Sequence, residues 1–169
     1  MTSQPVALSA PIISPAGGAT AIGDSVMLGA APQLQAAIGG LYVDATVSRQ
    51  ASSGAAVLRE RSQANTLGSV VIIGLGNNGT YTLQEFEGIM ALLSGVDRVV
   101  IVNLSLPRTW EGSNNAMLAA NVGRYANARL VDWNAAALDH PEYFWDDRVH
   151  LRPGGAAVYA AMIAYAAVA

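Results

Sequence analysis

The stretch Ile22-Gly23-Asp24-Ser25-Val26-Met27-Leu28-Gly29 joins two segments with different hydrophobic periods. Before it, Gly18-Ala19-Thr20-Ala21-Ile22 is short and small or apolar, the pattern of a buried strand. After it, Val26, Met27, Ala30, Ala31, Leu34, Ala37 and Ile38 recur at helical spacing. Ser25 therefore falls where a strand ends and a helix begins, with Gly23 expected to permit a sharp turn. The unpaired amides at a helix start favour a developing negative charge nearby, so a serine there is placed for attack on a carbonyl. Taken alone, Gly-Asp-Ser is equally ordinary turn chemistry, with Asp24 or Ser25 as the helix cap.

The same alternation runs along the chain. Candidate strands cover 18–22, 42–47, 69–74, 98–104 and 128–132; candidate helices cover 26–38, 54–64, 82–93, 113–126 and 153–167. Strands alternating with helices predict a three-layer α/β/α sandwich around a central five-stranded parallel sheet. Residues 1–17 carry three prolines and read as a flexible tail or linker ahead of one domain, 18–169. They lack the charged start and long apolar run of a signal peptide. The Ala-rich run from Ala156 to Ala169 is too short for a membrane span and reads as a final core helix.

Three further blocks fall at predicted loops. Asp147-Arg148-Val149-His150 sets a carboxylate three residues before a histidine, close enough in a tight turn to hold its tautomer. Solvated loop charges beside a surface histidine are the plainer alternative. Val70-Val71-Ile72-Ile73-Gly74 reads as a fully buried strand running into Leu75-Gly76-Asn77-Asn78-Gly79. Open α/β sheets bind ligands at the carboxyl ends of their strands, where an asparagine amide can donate to an oxyanion. An Asn-Gly turn would look the same. Ala51-Ser52-Ser53-Gly54 follows the second strand, and the Gly54 N–H is either a second donor or the start of a helix.

Composition narrows the function classes. The chain has 169 residues, 52% hydrophobic and 12% charged, enough for one domain with a substantial core. There is no cysteine, hence no disulfide or thiolate metal site, and two histidines without a ligand cluster argue against a catalytic metal. A net charge of −3 offers no footprint for nucleic acid or an anionic membrane. All nine basic residues are arginine.

In chain order the blocks are Ser25 at the first strand end, Gly54 after the second, Gly76-x-Asn78 after the third, and Asp147-x-x-His150 before the last helix. This order resembles the SGNH (GDSL-type) hydrolase family, whose four motif blocks occur in that sequence on a flavodoxin-like sheet. The resemblance implies Ser25 as nucleophile, Asp147 and His150 as its partners, and an oxyanion hole of the Ser25 amide, Gly54 and Asn78. One departure is Gly79, which stands where the third block usually has Asp. The finer pattern is similar to the extracytoplasmic SGNH domain of acyltransferase-3-type membrane proteins, the OatA type of peptidoglycan O-acetyltransferase among them. It rests on Gly23 to Ala30, Gly76-Asn77-Asn78-Gly79, Asn103-Leu104-Ser105-Leu106-Pro107-Arg108-x-Trp110, Asp132-Trp133, His140-Pro141-Glu142-Tyr143-Phe144 and Asp147 to Leu151. Arg148 departs from the more usual Gly of the last block.

That resemblance implies an extracytoplasmic monomer tethered to a membrane domain, which supplies an acetyl donor. The acetyl group would pass through Ser25 to a hydroxyl of a cell-surface glycan, without a cofactor, metal or nucleic acid. Arg108 and Trp110, after the fourth strand, are candidate substrate-binding residues, or a surface arginine and a packing tryptophan. A stand-alone carbohydrate or lipid esterase would share all this machinery. A non-catalytic glycan-binding module is the third reading, and an intact Ser, Asp and His argues against it.

Overall fold

The structure, a computed structural model, describes residues 11–169. Five strands form one parallel sheet in the order β2-β1-β3-β4-β5: β1 Ala19–Gly23, β2 Leu41–Ala45, β3 Val70–Gly74, β4 Arg98–Val102 and β5 Ala128–Val131. The helices are α1 Ser25–Gly29, α2 Ala31–Ala37, α3 Ala51–Gln63, α4 Leu83–Leu92, α5 Glu111–Asn121, α6 Trp133–Ala137 and α7 Pro153–Ala166. The three-layer arrangement is the expected one.

The layers follow from side-chain alternation along each strand. Ala19, Ala21, Val70, Ile72, Val100 and Val102 face one side and pack with α1, α2, α6 and α7. Ile22, Val71, Ile73, Val99 and Ile101 face the other and pack with α3, α4 and α5. β1 and β3 are buried at every position, as central parallel strands covered on two faces must be.

Two glycines set how closely α1 approaches the sheet. Gly23 and Gly74 are register partners at the ends of β1 and β3. A Cβ on Gly23 would lie 2.5 Å from the Met27 Cβ, and one on Gly74 would lie 2.7 Å from the Met27 Cε. Gly23 is therefore required for space, not for a left-handed turn, since its φ is not positive.

Local differences from the sequence reading have identifiable causes. The helix expected over 26–38 is broken at Ala30 because Pro32, at the start of α2, has no N–H and its ring would clash with the preceding turn. α3 begins at Ala51, three residues before the expected start, which places Gly54 inside the helix. The fifth helix gives way to a 3-10 turn over Val122–Arg124. Short α6 and a 3-10 turn at Pro141–Tyr143 have too few residues for a periodic signal. Of the expected tail, residues 1–10 lie outside the described residues. Ile13, by contrast, forms a parallel bridge with Ile38 and joins the core at 9% exposure.

The start of α7 carries a steric constraint that bears on the site. Gly155 is buried against the Tyr143 backbone, and a Cβ there would land on the Tyr143 carbonyl oxygen. Backbone cannot yield as a flexible side chain can, so Gly155→Ala should cost about 1–3 kcal/mol in chemical denaturation. An unfolding midpoint equal to that of the parent protein would show that the contact is not tight.

Candidate active site

The site lies at the carboxyl edge of the sheet and begins with a buried carboxylate. Asp24 caps α1 in an extended conformation, with φ −105° and ψ −157°, and is fully buried. Its Oδ1 accepts the Val26 N–H at 3.1 Å, and its two oxygens accept from the Asn77 side-chain amide at 3.0 and 2.9 Å. Oδ2 also accepts the Asn77 backbone N–H at 3.3 Å. Burial pushes the Asp24 carboxyl above its ordinary range, and the Asn77 and Val26 donors act in the opposite sense. Asp24 thereby fixes the loop after β3 to the start of α1.

Ser25 is the first residue of α1, where the backbone N–H has no intrahelical acceptor. Its Oγ is 2.9 Å from His150 Nε2. The other ring nitrogen, Nδ1, is 2.6 Å from Asp147 Oδ2. Asp147 Oδ1 in turn accepts the N–H groups of Val149 and His150 at 2.9 and 3.0 Å. Although burial alone would raise it, hydrogen bonds from the His150 ring and these two amides pull Asp147 down to about 2. The carboxylate is therefore ionised, Nδ1–H is the donor to it, and Nε2 is left to accept from the serine hydroxyl.

The loop carrying Asp147 and His150 is closed by its own backbone. Phe144 and Leu151 form an antiparallel bridge, Trp145 N–H donates to the His150 carbonyl at 2.9 Å, and Arg148 N–H donates to the Trp145 carbonyl at 2.8 Å. Arg152 lies 4.7 Å above the Trp145 ring and donates to the Phe144 carbonyl. The turn requires a left-handed backbone at Arg148, φ +57°.

A pocket of about 270 Å³ is lined by Ser25, Asp147 and His150 on one side and by Asn78, Arg108 and Trp110 on the other. The Asn78 amide nitrogen donates to the Arg49 carbonyl at 3.2 Å, which orients the group and leaves its second N–H for a ligand. Arg49 is itself clamped: its guanidinium donates to the Asp44 carbonyl, the Asp44 carboxylate and the Gly23 carbonyl at 2.6, 2.7 and 3.3 Å. Arg61 holds the second Asp44 oxygen at 2.8 Å. Burial opposes ionisation of Asp44, but the Arg61 and Arg49 bonds outweigh it and lower its pKa.

Gly54 is the one expected donor that this geometry does not bring to the site. Its N–H donates to the Gln50 carbonyl inside α3 at 3.1 Å, so it is not available to an oxyanion. The absent side chain is explained by packing, because a Cβ would strike Leu75. Arg108 and Trp110 do line the pocket, and the buried Trp110 indole N–H has no partner among the described residues.

The residues that hold these groups were not singled out in the sequence. Besides Asn77 and Arg49, the buried Asn114 of α5 donates to the Gly76 and Gly79 carbonyls at 3.1 and 2.9 Å and accepts the Tyr81 N–H. It braces a loop in which Gly76 and Gly79 have φ of +109° and +140°. A polar residue at a buried helix position is a signal, but only once that position is known to be buried. Among the described residues, no group of three or more His, Asp or Glu is placed to hold a metal ion.

A serine hydroxyl, an imidazole and an ionised aspartate in relay, beside a preorientated amide, make up a serine acyl-transfer site on a doubly wound sheet. No protein-family model matches the chain. YrhL of Bacillus subtilis (strain 168) is 39% identical over 146 residues, which are 86% of this chain and 23% of that protein. The peptidoglycan O-acetyltransferase OatA of Listeria monocytogenes is 35% identical over 145 residues, 85% of this chain and 23% of that protein. This chain thus spans about a quarter of the length of these relatives. Among solved structures, the C-terminal catalytic domain of Streptococcus pneumoniae peptidoglycan O-acetyltransferase A superposes with a TM-score of 0.81 at 27% identity. The match covers 89% of this chain and 92% of that one. A GDSL-like lipase from Bacteroides thetaiotaomicron shares the fold, with a TM-score of 0.69 at 17% identity over 99% of this chain and 92% of that one. The chain thus has the SGNH (GDSL-type) hydrolase fold, and over about 85% of its length it is similar in sequence to OatA-type O-acetyltransferases.

The Asp24–Asn77 pair gives a prediction with a definite sign. The folded-state pKa of Asp24 is raised, so its ionised form costs stability as the pH rises through that value. The Asn77 donors reduce that cost. Asn77→Ala should therefore lower unfolding free energy by about 1–3 kcal/mol well above the Asp24 pKa, and by less below it. Urea denaturation over a pH series tests this, and an equal loss at every pH would contradict it.

Proposed function

We propose that this chain is a serine-dependent O-acetyltransferase domain that passes an acetyl group to a hydroxyl of a cell-surface glycan, peptidoglycan being the first candidate. The observation that carries this reading is the continuous relay Asp147–His150–Ser25, at 2.6 and 2.9 Å, opening on a pocket that also holds Asn78.

In the first half-reaction, His150 Nε2 takes the hydroxyl proton as Ser25 Oγ attacks the acetyl carbonyl. Asp147 keeps the ring in its working tautomer and offsets the charge it acquires. The Asn78 amide and the Ser25 N–H receive the oxyanion, a role in which a single donor is worth about 10²–10³ in rate. His150 returns the proton to the leaving group. A bound sugar hydroxyl then gives its proton to His150 and attacks the acetyl-serine. His150 returns that proton to Ser25 Oγ as the serine ester bond breaks, which releases the acetylated sugar and restores the free enzyme.

The acetyl group would come from a membrane domain, with this domain working outside the cytoplasm; in support, the relatives are about four times as long as the matched segment and are named for peptidoglycan, a cell-wall polymer. Among the described residues no helix is long and apolar enough to cross a membrane. Hydrolysis competes with transfer for a structural reason. The side chains of His150 and Asp147 are 46% and 47% exposed, so water reaches the acyl-enzyme whenever no acceptor covers them. An esterase reading therefore remains the alternative to test.

Ser25→Ala should reduce release of p-nitrophenol from p-nitrophenyl acetate by several orders of magnitude without loss of folded circular dichroism. Asn78→Ala should lower kcat by roughly 10²-fold with a smaller change in KM. Full activity in the serine variant would remove the nucleophile from the proposal. The reaction class is decided by incubating the protein with an acetyl donor and cell-wall oligosaccharides. Acetylated sugar in the mass spectrum is expected, because a bound hydroxyl gains a large proximity advantage over water. Acetate alone, across peptidoglycan fragments and other surface glycans, would establish the esterase instead.

A further inference from the structure

Arg148 occupies an unfavourable position without an internal reason to do so. It sits between Asp147 and His150 in a left-handed conformation, φ +57°, which glycine adopts freely and a side chain does not. The guanidinium makes no ion pair or hydrogen bond among the described residues. The nearby carboxylates are already engaged: Asp147 with His150, Asp146 with Arg152, and Glu111 with the Leu106 N–H. Strain retained at a catalytic turn is a reason to look for a role in the side chain itself.

Its surroundings supply one. Arg148 lines a groove of about 220 Å³ with Leu106, Pro107, Glu111 and Asn134. Leu106 also lines the catalytic pocket, so the two depressions adjoin at that residue. Arg108, two residues on from Leu106, lines the catalytic pocket, and among the described residues the one hydrogen bond of its guanidinium is to the Pro107 carbonyl. Two guanidinium groups without a carboxylate partner among the described residues thus line the catalytic pocket and the groove that adjoins it, in a chain whose net charge is −3.

We propose that Arg148, with Arg108, binds a carboxylate carried by the acceptor glycan, and that this contact selects anionic over neutral acceptors. The inference rests on the acyl-transfer reading above. A guanidinium suits the task because its planar fork pairs with both carboxylate oxygens at once. The contact lies in the groove that adjoins the catalytic pocket, so it governs acceptor binding and leaves the attack on the acetyl donor to Ser25. Arg148 is accordingly a specificity residue.

The test compares acceptors of equal length, with p-nitrophenyl acetate as donor and acetylated product quantified by mass spectrometry. One acceptor is a neutral tetramer of N-acetylglucosamine. The second alternates N-acetylglucosamine with N-acetylmuramic acid bearing its free lactyl carboxylate, and the third is the same tetramer with the carboxyls converted to methylamides. A fourth carries peptide stems on the lactyl groups, so that its only carboxylates are those of the peptide. The parent protein should favour a carboxylate-bearing tetramer over the methylamide about tenfold or more in kcat/KM, mainly through KM. The lactyl and stem arms identify which carboxylate is read. Arg148→Gly, which suits the left-handed backbone and keeps the turn, should bring this preference close to one, and Arg148→Lys should restore part of it. No preference in the parent, or an undiminished preference in Arg148→Gly, would overturn the proposal. So would a loss in Arg148→Gly that is equal for all acceptors and for ester hydrolysis, because that would make Arg148 part of the turn alone. If instead the parent shows no Ser25-dependent transfer to any acceptor, it is the transferase reading that fails.

Discussion

A carboxylate with no exposure to water holds this site together. Asp24 follows β1, caps α1 and binds the loop after β3 through both oxygens, so the strand-to-helix junction and a loop remote in sequence meet on one side chain. Leaving such a group buried without donors would cost several kcal/mol, and the fold supplies Val26 and Asn77 to meet it. The geometry is possible only because Gly23 and Gly74 lie side by side in the sheet and let Met27 pack directly onto them. The serine next to Asp24 is consequently presented by a rigid floor.

Around that floor the structure places support behind each chemical group. Asp147 orients His150 and is itself held by two backbone amides. Asn78 is oriented by the Arg49 carbonyl, and Arg49 is fixed by Asp44 and by the end of β1. Asn114 braces the glycine loop from behind. Polar networks of this kind hold catalytic groups to the small tolerances that acyl transfer requires. The open side of the site, where His150 and Asp147 are nearly half exposed, is the side on which an acceptor would have to dock.

Much of the fold was legible because its signals are periodic. Five apolar strands and the long helices announce themselves by spacing, and the layer order follows from covering a parallel sheet on two faces. The errors were local. Pro32 divides one predicted helix, and α6 is too short to show a period. Gly54 shows why motif order alone misleads: it occupies the expected place in the chain, yet α3 begins early enough to use its N–H internally.

The sequence by itself determined which chemistry is possible. It contains a serine at a strand-to-helix junction, a Gly-x-Asn loop after a buried strand and an Asp-x-x-His turn before the last helix, each placed by local pattern. Tertiary structure decided which of these groups meet. Ser25 and His150 are 125 residues apart in the chain, and only the parallel sheet, with β1 between β2 and β3 and α7 packed against α2, brings them to 2.9 Å. It decided equally that the Asn78 amide would donate to the Arg49 carbonyl and that Arg148 would line the groove without a side-chain partner among the described residues. Local pattern cannot specify such contacts, because they depend on burial and on the approach of segments remote in sequence, and both exist only once the core has packed.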